Sequence, residues 1–165
     1  LMVAAGAAVW WWRLKMVKEA GGEIIDSVER MRGAYKRRQF RKKAEAAPLA
    51  SIADPAIAAV AFFLALAAEK PHSKGQASAV IRTRMNGIIK PQDMDEVMIF
   101  ADWATRHVVN PQDPIRRFRD LWLNRLDIAE RQELIAIADA VASVEGEPTP
   151  EQAETLQTLR RTLLN

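Results

Sequence analysis

The chain has no cysteine and only two histidines among its 165 residues. The first absence excludes disulfides, a thiol nucleophile and Cys-type zinc sites. Two imidazoles leave little for a His-rich metal centre or a Ser-His-Asp triad. Glycine and proline are sparse, at 7 and 8 residues, which excludes a collagen-like repeat and low-complexity disorder. There is no phosphate-cradling glycine loop and no paired nucleophile and base, so the chain reads as non-catalytic, without a cofactor or small-molecule substrate. His72, in the turn Pro71-His72-Ser73, and His107, near a helix end where a cation suits the dipole, read as structural or solvated. What remains, 49% hydrophobic and 27% charged residues, suffices for one globular domain.

The net charge of +3 conceals a division. Residues 13 to 43 hold 11 Lys or Arg against 4 Asp or Glu, while residues 44 to 165 hold 13 against 17. A basic neck therefore precedes an acidic body, the asymmetry of a segment that meets an anionic surface joined to a domain that does not. Residues 1 to 12, LMVAAGAAVWWW, carry no charge and end in Trp10, Trp11 and Trp12, with Arg13, Lys15 and Lys18 immediately after. Indole rings at headgroup level followed by cytoplasmic cations are how a membrane span ends. Twelve helical residues reach ~18 Å of a ~30 Å hydrocarbon core, so further apolar residues are expected upstream. A cleaved signal peptide would place its cations before the apolar stretch, and a buried N-terminal helix would not need the Trp triplet beside them.

After Gly21-Gly22 a second helical pattern carries Ile24, Val28, Met31 and Tyr35 as a narrow apolar stripe. Around and beyond it lie Lys36, Arg37, Arg38, Arg41, Lys42 and Lys43. A juxtamembrane helix on anionic lipid headgroups is the reading the neighbouring span favours, ahead of a solvated linker. A nucleic-acid patch lacks any accompanying motif. The divisions expected are residues 1–20 as a membrane-spanning helix, 21–47 as basic neck and hinge, and 48–165 as a folded body.

The body is punctuated by helix caps. Asp54-Pro55 caps an apolar stretch, Ala56 to Ala68, too short to span and expected as the buried central helix. Ser73 with Gln76 is read as a capping box opening a helix from Lys74 to Ile88. Asp93-Met94-Asp95-Glu96 opens another, through Val97, Phe100, Ala101, Ala104 and Val108. Asp113-Pro114 repeats the cap-plus-proline device before Ile115, Phe118, Leu121 and Trp122, Asp127 with Glu130 boxes a helix to Ser143, and Thr149 with Gln152 boxes the last, to Leu164. No alternating run suggests a strand, so the fold class is all-α, a compact bundle of about six helices. Trp103 and Trp122 read chiefly as core. The run Arg116, Arg117 and Arg119, close to Trp122, is the body's candidate surface for an acidic partner.

Two segments repeat at a shift of 76 residues: Ala65 to Ala77 falls on Val141 to Ala153, with Val80 on Leu156 and Arg84 on Arg160. In the second copy, Val144-Glu145-Gly146-Glu147-Pro148-Thr149-Pro150-Glu151 resembles the turn of the TerB-like domain, known from tellurite-resistance proteins and from the membrane-anchored co-chaperone DjlA. The first copy is degraded, with Lys70 for the glycine and Gly75 for the later glutamate. The likeness covers Asp54 to Asn165 and implies an all-helical domain of two degenerate repeats. In that family, acidic residues of the two turns are associated with a divalent metal. Carried over, they are Glu69, Glu145 and Glu151, with Glu147 and Glu154 as neighbours, but Lys70 would oppose a cation, so no metal is expected. The expectation for function is a membrane-anchored interaction module, an accessory or assembly subunit of an integral membrane protein complex. It is placed single-pass in a bacterial inner membrane with its C-terminal body cytoplasmic. The alternative is a metal-responsive or stress-related sensor of the tellurite-resistance type.

Overall fold

The computed structural model describes residues 48–165, and the span and neck expected over residues 1–47 lie outside them. After a short 3₁₀ turn, Pro48–Ser51, come six helices: α1 Pro55–Ala67, α2 Lys74–Met85, α3 Pro91–Ala104, α4 Gln112–Arg125, α5 Ile128–Ala142 and α6 Pro150–Leu164. The described residues contain no strand, and the all-α expectation holds for them. None of these helices is long and apolar enough to cross a membrane.

The architecture follows from α1. Asp54 accepts the amide protons of Ala56 and Ile57 at 2.8 and 3.3 Å, Pro55 supplies the first helical φ, and all thirteen residues of α1 are buried. A helix apolar on every face needs cover on every face. α2, α3, α4 and α5 supply it, with α6 closing the far side against α4 and α5. Phe62 and Phe63 are wholly inaccessible. Burial of each such ring contributes ~2 kcal/mol. Trp122 of α4 stands edge-on to Phe62 at 6.0 Å, lies 5.6 Å from Phe118, and donates its indole N–H to the Pro55 carbonyl at 3.2 Å. One side chain thus fixes α4 to the start of α1, and the proximity of Trp122 to the arginine run does not make it a docking residue.

Three boundaries differ from expectation. α2 stops at Met85, where Asn86 is extended and Gly87 takes φ +92°, a region that favours glycine, so Ile88 lies in the turn. α3 starts at Pro91 and ends at Ala104, where the Thr105 hydroxyl donates to the Ala101 carbonyl at 2.8 Å and leaves Val108 outside. α4 is entered two residues earlier than the Asp113-Pro114 pair suggests. Pro111 takes the capping position, and the Asn110 side chain accepts the Gln112 amide at 2.9 Å.

The boxes of Asp127 with Glu130 and of Thr149 with Gln152 are both formed. The box of Ser73 with Gln76 is not. Pro71–Ser73 forms a 3₁₀ turn that holds Ser73 at φ −107°, ψ 13°, away from the extended conformation a capping residue needs. Its hydroxyl donates instead to the Lys70 carbonyl at 3.1 Å, and the Gln76 amide bonds to Glu145.

Candidate functional site

α2 and α3 both lean on α1 and run antiparallel to each other, joined by the turn at Gly87. Between them is a groove of about 600 Å³. Its floor is apolar: Leu64 of α1, with Met98, Ile99 and Trp103 of α3. Ile99 is 69% exposed, an unusual state for a side chain worth ~2 kcal/mol when buried. Trp103 is half-buried and its ring lies 6.0 Å from that of Phe100.

The rim is cationic, with Lys74 and Arg82 from α2 and Arg106 just beyond α3 lining the groove against one carboxylate, Asp102. Two ion pairs cross from α2 to α3, Lys74 Nζ to Asp102 at 2.8 Å and Arg82 to Asp95 at 2.5 Å. Exposed pairs of this kind contribute ~0–1 kcal/mol, so a better-placed carboxylate can replace either acidic partner. The arrangement holds an apolar surface open between groups that attract negative charge. It contains no nucleophile activated by a base.

Sequence reasoning overlooked this groove because its residues come from three helices. One signal was available: Ile99 is an apolar residue out of register with the buried stripe Val97, Ala101 and Ala104. The surface that was singled out is arranged differently. Arg116, Arg117 and Arg119 are exposed on α4, where Arg116 pairs with Asp113 and Arg119 lies 3.2 Å from Asp120. Trp122, three residues beyond Arg119, is 0% exposed, so it offers this run no aromatic anchor for a partner.

The candidate metal carboxylates Glu69, Glu145, Glu147 and Glu151 are not gathered into one site. Among the described residues no three His, Asp or Glu side chains converge as a ligand set. Glu145, Glu147 and Glu151 are exposed and Glu69 is half-buried. Glu145 bonds to Gln76 and stands 4.0 Å from the exposed His72 ring, and His107 is also exposed. The Lys70 ammonium stands among the carbonyls of the turn after α5, donating to those of Ala142, Val144 and Glu147. These residues do not fit a divalent metal. The proposed membrane-interface residues Trp10, Trp11, Trp12, Arg13, Lys15 and Lys18, and the lipid-facing Lys36, Arg37, Arg38, Arg41, Lys42 and Lys43, lie outside the described residues.

Two buried acids feel the fold. Burial pushes the Asp54 carboxyl up to about 6, against its two amide donors and the charge of Arg125. Burial also raises Glu133, opposed by Arg84 at 3.8 Å. Both sit in the packing between helices and away from the groove. Comparison with family models, with curated proteins and with solved structures finds no match for this chain.

Proposed function

We propose that this chain is a non-catalytic interaction module, tethered to a bacterial inner membrane by its N-terminal span and basic neck, that serves as an accessory or assembly subunit of a larger membrane protein complex. The groove between α2 and α3 carries the reading: an apolar floor left exposed at Ile99, under a rim of Lys74, Arg82 and Arg106. Its occupant is an amphipathic helical segment of a partner, apolar on one face and acidic on the flanks. Apolar burial supplies the affinity, and the flanking carboxylates displace Asp102 and Asp95 from their exposed ion pairs. The TerB-like resemblance of the turns supports the same class of helical module, and the uncharged, Trp-terminated N-terminus supports the tether.

The test is site-specific photo-crosslinking in the full chain in its membrane. A photoreactive residue at Ile99 should yield one dominant adduct on an acidic amphipathic segment, lost when Arg106→Glu reverses the rim charge. The same residue at Arg117 should not yield it. Equal adducts from both positions, or an adduct at Ile99 indifferent to Arg106→Glu, would remove the groove from the function.

A further inference from the structure

Lys70 lies just beyond α1 and is only 6% exposed. A buried ammonium must replace its lost hydration, and here backbone carbonyls do so. Nζ donates to the carbonyls of Ala142 at 3.0 Å, Val144 at 3.0 Å and Glu147 at 2.9 Å, with the Gly146 carbonyl at 3.4 Å. Three protons serve three near acceptors, and the fourth oxygen shares them.

The convergence of four carbonyls has local causes. Ala142 is the last residue of α5, where carbonyls are left without intrahelical partners and the dipole favours a cation. Glu145 and Gly146 then take positive φ, 54° and 119°, and this left-handed pair bends the chain around the carbonyls of the same turn. A non-glycine residue such as Glu145 holds that conformation only where its surroundings enforce it. Gln152 ties the same junction from the other side, donating to the Leu66 carbonyl at the end of α1 at 2.9 Å.

We propose that the turn between α5 and α6 is a monovalent-cation site whose resident ion is the chain's own Lys70 ammonium. Neutral carbonyls replacing a hydration shell are the ligands that suit potassium and ammonium. Calcium and magnesium take shorter distances, ~2.3–2.6 Å and ~2.0–2.1 Å, and carboxylate ligands that this cluster does not supply. Because the ion is tethered to the end of α1, it also clasps the two repeat turns together and makes the native chain indifferent to the ions in solution at this position.

The experiment is thermal unfolding of the full chain, followed by circular dichroism in potassium, ammonium, lithium and choline chlorides at equal ionic strength. The native chain should melt at one temperature in all four. Lys70→Ala should melt on the order of 5 °C lower in choline, and potassium or ammonium, but not lithium, should restore most of the loss in a saturable way. Lys70→Ser, which also vacates the carbonyl cluster, serves as the readout if Lys70→Ala does not fold in choline. Folding of Lys70→Ala regained only in potassium or ammonium would support the site equally. A salt response shared by native and variant chains overturns the proposal, as does failure of both variants to respond or to fold in any of the salts.

Discussion

Asp54 joins two demands that conflict. As the N-cap of α1 it must present an oxygen to the Ala56 and Ile57 amides, and as a residue 3% exposed it is held away from the water that stabilises its charge. The balance favours the neutral acid, with the pKa raised from 3.8 to about 6. The folded chain therefore binds this proton more tightly than the unfolded chain. Stability contributed by the group is complete below about pH 4, falls as pH rises to about 6 and stays low above it. The loss is about 3 kcal/mol at most. Asp54→Asn keeps the accepting oxygen and removes the charge. We predict that it raises the melting temperature at pH 7.5, changes it little at pH 4, and flattens the slope between. An unchanged pH profile would assign the slope to other groups, Glu133 first among them, since its raised pKa acts in the same sense.

At the scale of elements, the two segments aligned at a shift of 76 residues show how one local sequence pattern takes two conformations. Thr149, at φ −64° and ψ 161°, is extended, and it exchanges bonds with Gln152 at 3.1 and 3.0 Å. Ser73 is not extended, since the 3₁₀ turn Pro71–Ser73 holds it at φ −107° and ψ 13°. The box therefore gives way to a bond across the two copies, Gln76 to Glu145. Thr149→Ala should then lower stability by about 1 kcal/mol, read as a shift of the urea midpoint at constant slope, and Ser73→Ala by less than half of that. Equal losses would mean that the two helix starts are capped alike in solution.

For the whole molecule, the proposed function requires that the groove face the compartment of its partner. The excess of Lys and Arg from residue 13 to residue 43 orients the proposed span by the positive-inside rule. A reporter fused after Asn165 should be active in the cytoplasm, and the full chain should resist carbonate extraction from membranes. Recovery of the full chain in the soluble fraction would refute the tether and leave the groove to be tested separately.

Local chemistry was legible in the amino-acid order. Asp54-Pro55, Asp127 with Glu130 and Thr149 with Gln152 are contiguous signals whose energy is decided within one turn, and the wholly apolar run of α1 has one comfortable place in a bundle, its centre. Where a neighbour distant in sequence decided the outcome, the order was not enough. Trp122 is buried as its helical face suggests, but the groups that complete its surroundings, Phe62 and the Pro55 carbonyl, lie 60 and 67 positions away. Gln76, expected to box with Ser73, bonds instead to Glu145, 69 residues on, and Lys70 beside them finds its four acceptors 72 to 77 residues on. The groove exists only because α2 and α3 pack on α1 and leave a gap above it, so its floor and rim belong to no single helix. Capping and hydrophobic periodicity act within a few residues, so they were enough to mark the helix starts at Asp54, Asp127 and Thr149 and the helix that must be buried. Only the tertiary structure decided which polar groups meet, because a charge or an aromatic ring takes its role from whatever the fold brings to it.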